Sequence, residues 1–169
     1  KIILHHIGFD DEKYYKNNVL AVNTNQGSNV SFVNLFEESN QSFSMNNIIL
    51  NQKSYSEVKQ SSFFLSSGFI RTDISNNLNE PESYSSIKGL FLGCNDEFID
   101  NNIIINHNSE HTYSKVLYKG VLDGKSWISG VLLSKCANDI AVYSTWQKWS
   151  GGVGSLGRPS RNPRKVNVF

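Results

Sequence analysis

Short apolar runs recur along the chain at 19–22, 30–36, 47–50, 63–65, 87–92, 103–105, 116–122 and 128–133, each about the length of a β-strand. Clusters of Asn, Ser, Gly and Asp separate them, which is the chemistry of turns. This spacing predicts an all-β fold and suits a sandwich, a barrel or a solenoid. No fixed-period repeat is legible between the runs. Several of them are apolar at consecutive positions, as in Asn47-Ile48-Ile49-Leu50 and Ile103-Ile104-Ile105. Strands covered on both faces, or bent at coil corners, read that way. Polar stretches between short strands also suit stacked coils in which like side chains form ladders. The leading expectation is therefore a β-solenoid, with a sandwich as the alternative.

Composition points the same way. There are three alanines and one methionine against fourteen isoleucines and twelve valines. Unbranched residues favour helices, whereas β-branched and aromatic ones fit a pleated surface. Asn and Ser fill forty-five positions, and both bond locally to backbone in ways that favour turns. Hydrophobic residues make up 38% and charged residues 18%, enough apolar surface for a core. A net charge of +1 predicts neither a nucleic-acid nor a membrane partner, and no apolar run is long enough for a spanning helix. Cys94 and Cys136 match no metal spacing and read as two reduced, partly buried thiols.

The chain changes character near Tyr143. From Lys148 onward it holds five basic and no acidic residues, with glycines and prolines interspersed. Residues 1–143 are expected to form the solenoid core, and 144–169 a disordered basic Gly/Pro-rich tail that Trp146 and Trp149 tack to the body. A start at Lys1, neither initiator nor signal peptide, reads as a fragment or a processed chain.

Few groups suggest chemistry. His5 and His6 are adjacent and on a strand would face opposite ways. Asp96, Glu97 and Asp100 could gather around Ca²⁺ but read more simply as a solvated turn. His107 and His111 are spaced as a helical metal pair, yet the run before them reads as a strand, and Asn108 stands where a zincin has Glu. Among all of these His107 and Cys94 are the weak metal candidates. His107 is as readily a structural residue bonded to a backbone carbonyl, and nothing basic beside Cys94 would activate it. Gly120 and Gly130 read as turns or tight corners, Asp123-Gly124 as a turn, and Lys119 as a partner for Asp123 or a neighbouring coil. No phosphate loop or nucleophile elbow is present, and no catalytic residue is assigned.

One ordered set of motifs resembles a known family. Gly68-Phe69-Ile70-Arg71-Thr72-Asp73 and Lys88-Gly89-Leu90-Phe91-Leu92 are followed by Asp100, His107, Ser114, Tyr118-Lys119-Gly120, Asp123-Gly124-Lys125-Ser126 and Gly130. In order and spacing this is similar to the core of the SufB/SufD proteins of iron–sulfur cluster assembly. Tyr118-Lys119-Gly120 looks more like SufD than SufB. The likeness fades after Val142, before the family's Cys/His segment and its helical region that docks on the SufC ATPase, which reads as a C-terminal truncation.

The resemblance implies a right-handed parallel β-helix. It implies a scaffold component of a SufB–SufC–SufD complex rather than an enzyme, with SufB-like and SufC-like partners. No stably bound cofactor is expected; a transient iron–sulfur cluster would form at the level of the complex, in the cytoplasm or a plastid. The family-motif residues carried over are Arg71, Asp100, His107, Ser114, Tyr118, Lys119, Gly120 and Gly130. The alternative is a carbohydrate-binding or polysaccharide-cleaving β-solenoid, which needs Asp96, Glu97 and Asp100 to converge.

Overall fold

Two parallel sheets share the chain strand by strand. The computed structural model describes residues 1–9 and 12–136. Its strands are β1 (Ile2–Ile7), β2 (Tyr15–Asn23), β3 (Asn29–Glu37), β4 (Phe43–Gln52), β5 (Glu57–Ser66), β6 (Phe69–Leu78), β7 (Tyr84–Gly93), β8 (Phe98–His107), β9 (Tyr113–Leu122) and β10 (Trp127–Cys136). The odd strands form one five-stranded sheet in the order β1-β3-β5-β7-β9, and the even strands form the other. Every pairing is parallel. Each coil thus gives one strand to each sheet, which is the expected β-solenoid. The end of the predicted core, 137–143, and the whole predicted tail at 144–169, with Trp146 and Trp149, lie outside the described residues.

Eight of the ten strands contain the apolar runs named above; β1 opens on a further one, Ile2-Ile3-Leu4, and β6 has none of that length. In β6 the inward positions are Ile70, Thr72, Ile74, Asn76 and Leu78, so two of the five are polar and the run is broken. The consecutive apolar positions elsewhere are coverage on both faces: Ile48 and Leu50 point in, while Ile49 lies in an outer row with Ser75 and Ile104.

A repeat does exist. Equivalent residues recur at separations of 28 (Asn18 and Asn46), 26 (Asn51 and Asn77) and 29 (Asn77 and Asn106). Corner loops of unequal length spread the period, which is why the sequence shows none. The corners themselves are alike. Gly27, Tyr55, Glu82 and His111 take the left-handed conformation at φ 67°, 57°, 59° and 52° in four successive corners. The next residue is in each case Ser28, Ser56, Ser83 or Thr112, and its hydroxyl donates to the carbonyl three residues back. Asn95 and Gly124 take the same conformation in two of the opposite corners, and Asp123-Gly124 is the turn its sequence predicts.

The core is a stack of rows. Inside the odd sheet, His6, Phe36, Phe64 and Phe91 pile ring on ring at centroid distances of 4.5, 5.0 and 5.0 Å. Such pairs contribute about 0.5–1.5 kcal/mol each beyond burial. Inside the even sheet, Ile48, Ile74 and Ile103 form one apolar row and Ile70 and Ile99 begin another. Outside it, Asn51, Asn77 and Asn106 each donate an amide N–H to the Asn of the preceding coil, at 2.9, 2.9 and 2.7 Å.

Candidate functional site

The inner corner between β8 and β9 holds His107. Its ring is fully buried, with Nδ1 2.8 Å from the Thr112 hydroxyl and Nε2 3.0 Å from the Ser114 hydroxyl. Two hydroxyls, rather than a backbone carbonyl, are therefore its partners. Thr112 is the hydroxyl-bearing residue of the corner repeat, and Ser114 is the first inward residue of β9. Two coils earlier Gln52 fills the same row, its Nε2 donating to the Ser56 carbonyl across its own corner at 3.5 Å and to the Tyr84 carbonyl of the next coil at 2.8 Å. Burial lowers the pKa of His107, with a backbone contact to Thr112 pulling the other way. A neutral imidazole with both nitrogens engaged locks a corner and has no free lone pair to offer a metal. His111 lies at the corner's left-handed position, so the two histidines do not converge.

On the outer face of the even sheet, Arg71 and Asp100 meet across the β6–β8 pairing. Arg71 Nη1 lies 3.2 Å from Asp100 Oδ2. Its Nε and Nη2 donate to the two oxygens of Asp73, both at 3.0 Å. Asn102 donates to Asp73 Oδ1 at 2.9 Å. Burial opposes ionisation of Asp73, but the bonds from Arg71 and Asn102 and the Arg71 charge outweigh it and hold the pKa below the usual carboxylate value. Asn102 completes a network whose other members, Arg71, Asp73 and Asp100, all stand in the motif order. This is a clasp between coils in which one guanidinium serves two carboxylates, not a vacant anion site.

Tyr118 continues the aromatic stack from the adjoining row, 5.2 Å from Phe91. Its register partner is Gly89, and a Cβ there would overlap the Tyr118 ring. Gly120, the register partner of Phe91, faces Phe91 and Ile128 from the middle of β9, and Gly130 lies within β10. Neither glycine is a turn or corner; Gly120 makes room for inward neighbours. Lys119 is exposed, and among the described residues it forms no ion pair with Asp123 or any other carboxylate.

The SufBD core domain of the SUF iron–sulfur cluster assembly system matches residues 1–130, ending at the glycine that closes the motif order. The chain belongs to this family. Its involvement in iron–sulfur cluster assembly follows from that membership. The match reaches back to residue 1, well before Gly68, where the motif order begins. No curated protein and no solved structure matches the chain.

Within this SufBD core, the acidic cluster does not assemble. Asp96 is exposed and Asp100 is engaged with Arg71. Glu97 is buried rather than solvated, and accepts from the Cys94 amide at 2.8 Å and the Ser67 amide of the preceding coil at 3.4 Å. Burial raises its pKa, and the two amides offset part of that rise. The Ca²⁺ arrangement required by the polysaccharide alternative is thereby lost. Among the described residues no three His, Cys, Asp or Glu side chains gather to hold a metal. Cys94 is a free, exposed thiol, not a partly buried one. It stands before β8, whereas His107 ends that strand, about 30 Å away at strand rise.

One buried cluster has no signal in the motifs. Glu38 accepts from Tyr14 at 2.9 Å, from Ser44 at 3.2 Å and from the Lys16 ammonium. Burial and the Glu38 bond raise the Tyr14 pKa. These four residues tie β2, β3 and β4 together. His6 faces inward beside Lys16 and His5 faces outward to Glu37, as adjacent strand residues must. The corner repeat of Ser28, Ser56, Ser83 and Thr112 is the sequence signal from which Thr112, and hence the setting of His107, could be found.

Proposed function

We propose that this SufBD core acts as a SufD-like scaffold in a SufB–SufC–SufD complex. In this reading it is not itself an enzyme and binds no cofactor stably. A SufB-like and a SufC-like ATPase chain are its partners, and the iron–sulfur cluster is cargo formed transiently by the complex in the cytoplasm or a plastid. The family match over residues 1–130 carries the proposal. The SufD side rests on Tyr118-Lys119-Gly120, whose tyrosine ring packs over Gly89 and extends the aromatic stack. A serine at that position would leave the stack one ring shorter.

A scaffold must hold a partner surface in fixed geometry under the strokes of an ATPase. The parallel ladders, the ring stack and the asparagine ladder all couple each coil to the next, which makes a stiff rod. Co-expression with a SufB and a SufC, followed by size exclusion with light scattering, tests this. Co-elution at a defined stoichiometry is expected. A chain that elutes alone while SufB and SufC co-elute with each other overturns the scaffold reading.

A further inference from the structure

The outer face of β5, β7 and β9 segregates charge. It carries Lys59, Lys88, Lys115 and Lys119, all exposed, against a single carboxylate, Glu57, which pairs with Lys59. Residues 1–136 as a whole hold eleven Lys and Arg against fourteen Asp and Glu. The positive face therefore opposes the sign of the body that bears it. Among the described residues, Lys88, Lys115 and Lys119 have no carboxylate partner.

Register fixes their arrangement. Ser86 pairs with Lys115, Lys88 with Leu117 and Leu90 with Lys119, so Lys88 lies diagonally between the two β9 lysines. Coil spacing and strand rise put the Lys88 Cα about 8 Å from that of each β9 lysine. Beside the lysines runs an apolar strip of Phe63, Leu90, Leu92 and Leu117, each only partly covered. Parallel sheets are ordinarily covered on both faces, and this one is open here.

The geometry points to this face as the docking surface for an acidic, amphipathic segment of a partner protein, its apolar side chains on the leucine strip and its carboxylates on Lys88, Lys115 and Lys119. The chain's own residues beyond Cys136 cannot supply that charge, since they include five basic residues and one acidic residue. A second copy presenting the same face would be repelled. Nucleic acid has no use for the apolar strip, and bilayer insertion needs fully exposed apolar side chains, whereas those of this strip are each partly covered. The inference is independent of the SufD assignment: co-elution with SufB and SufC can fail while this surface binds, and the reverse.

Fluorescence anisotropy with the purified full chain tests it. The probes are a labelled peptide with Glu and Leu at helical spacing, its Lys/Leu counterpart, and phosphatidylglycerol vesicles. The Glu/Leu peptide is expected to bind at least about tenfold more tightly than the Lys/Leu peptide, weakening between about 0.05 M and about 0.5 M salt. The K88E/K115E/K119E variant, checked for an unchanged circular dichroism spectrum, should reverse that preference. Leu90→Ser with Leu92→Ser should weaken binding without changing its salt dependence. Equal binding of the two peptides, binding that survives the charge reversal, or no binding of the Glu/Leu peptide overturns the proposal. Capture of vesicles alone overturns it too, and makes this a membrane face.

Discussion

The ring of Tyr118 occupies the space that a side chain on Gly89 would need. The two residues are register partners on neighbouring coils, so a glycine in one coil is the condition for a tyrosine in the next. Gly89→Ala should therefore destabilise the fold by about 1–3 kcal/mol through overpacking. Tyr118→Ala should cost about 3–5 kcal/mol through the cavity it leaves. The combined variant should lose less than the two losses added, because the alanine methyl enters space the ring has vacated. Urea unfolding of the three variants checks this, and strict additivity would sink it.

His111 holds a left-handed backbone at φ 52° in a corner where the first coil uses Gly27. A non-glycine residue there pays roughly 1–2 kcal/mol for the approach of its Cβ to the following carbonyl. Its side chain forms none of the hydrogen bonds or ion pairs among the described residues. His111→Gly should raise the melting temperature, offset by about 0.5–1 kcal/mol of added unfolded-state entropy. Tyr55→Gly, at the same place in its own corner, should behave alike. A fall in both melting temperatures would show that these side chains contribute contacts outweighing the strain.

The solenoid was legible where inward positions are apolar and illegible where they are not. The run at 103–105 lies in β8 because Ile103 and Ile105 point in and Ile104 points out. β6 hides because Thr72 and Asn76 take inward positions that periodicity assigns to apolar residues. The motif order found Arg71 and Asp100 and set His107 beside Ser114, but not what they do. A register is needed to place Arg71 against Asp100, and a corner is needed to bring Thr112 to His107. The Glu38 cluster joins Tyr14, Lys16 and Ser44, too far apart in sequence for any local pattern to register.

Asn77 sits in the middle of the outer amide ladder, donating to Asn51 and accepting from Asn106. Asn23 terminates it and only accepts, from Asn51. A net hydrogen bond of this kind is worth about 0.5–1.5 kcal/mol. Asn77→Ala breaks two and should cost about 1–3 kcal/mol, whereas Asn23→Ala breaks one and should cost about half as much. Denaturant midpoints for the pair measure the difference. Equal losses would mean that the ladder bonds exchange with water at no net gain.

His107 makes stability depend on pH with a definite sign. Burial lowers its folded-state pKa below the ordinary value of 6.5, so the unfolded chain takes up a proton that the folded chain refuses. Stability is then level above about pH 6.5. It declines as pH falls toward the folded-state value, by at most about 1.4 kcal/mol per pH unit for one proton. His6, also lowered chiefly by burial, adds to the decline. Glu97, raised by burial, opposes it just above its ordinary value, where the folded chain keeps a proton that the unfolded chain has lost. Both remain in a variant that changes His107 alone, so the difference between variant and parent isolates the one ring. Gln52 already fills this row two coils earlier, which makes His107→Gln the substitution the fold is built to accept. Urea unfolding at several pH values between about 7.5 and about 5 should show the parent losing stability faster than His107→Gln. Parallel curves for the two would mean that the ring takes up its proton as readily in the folded chain as in the unfolded one, and the buried, doubly bonded corner histidine would be wrong.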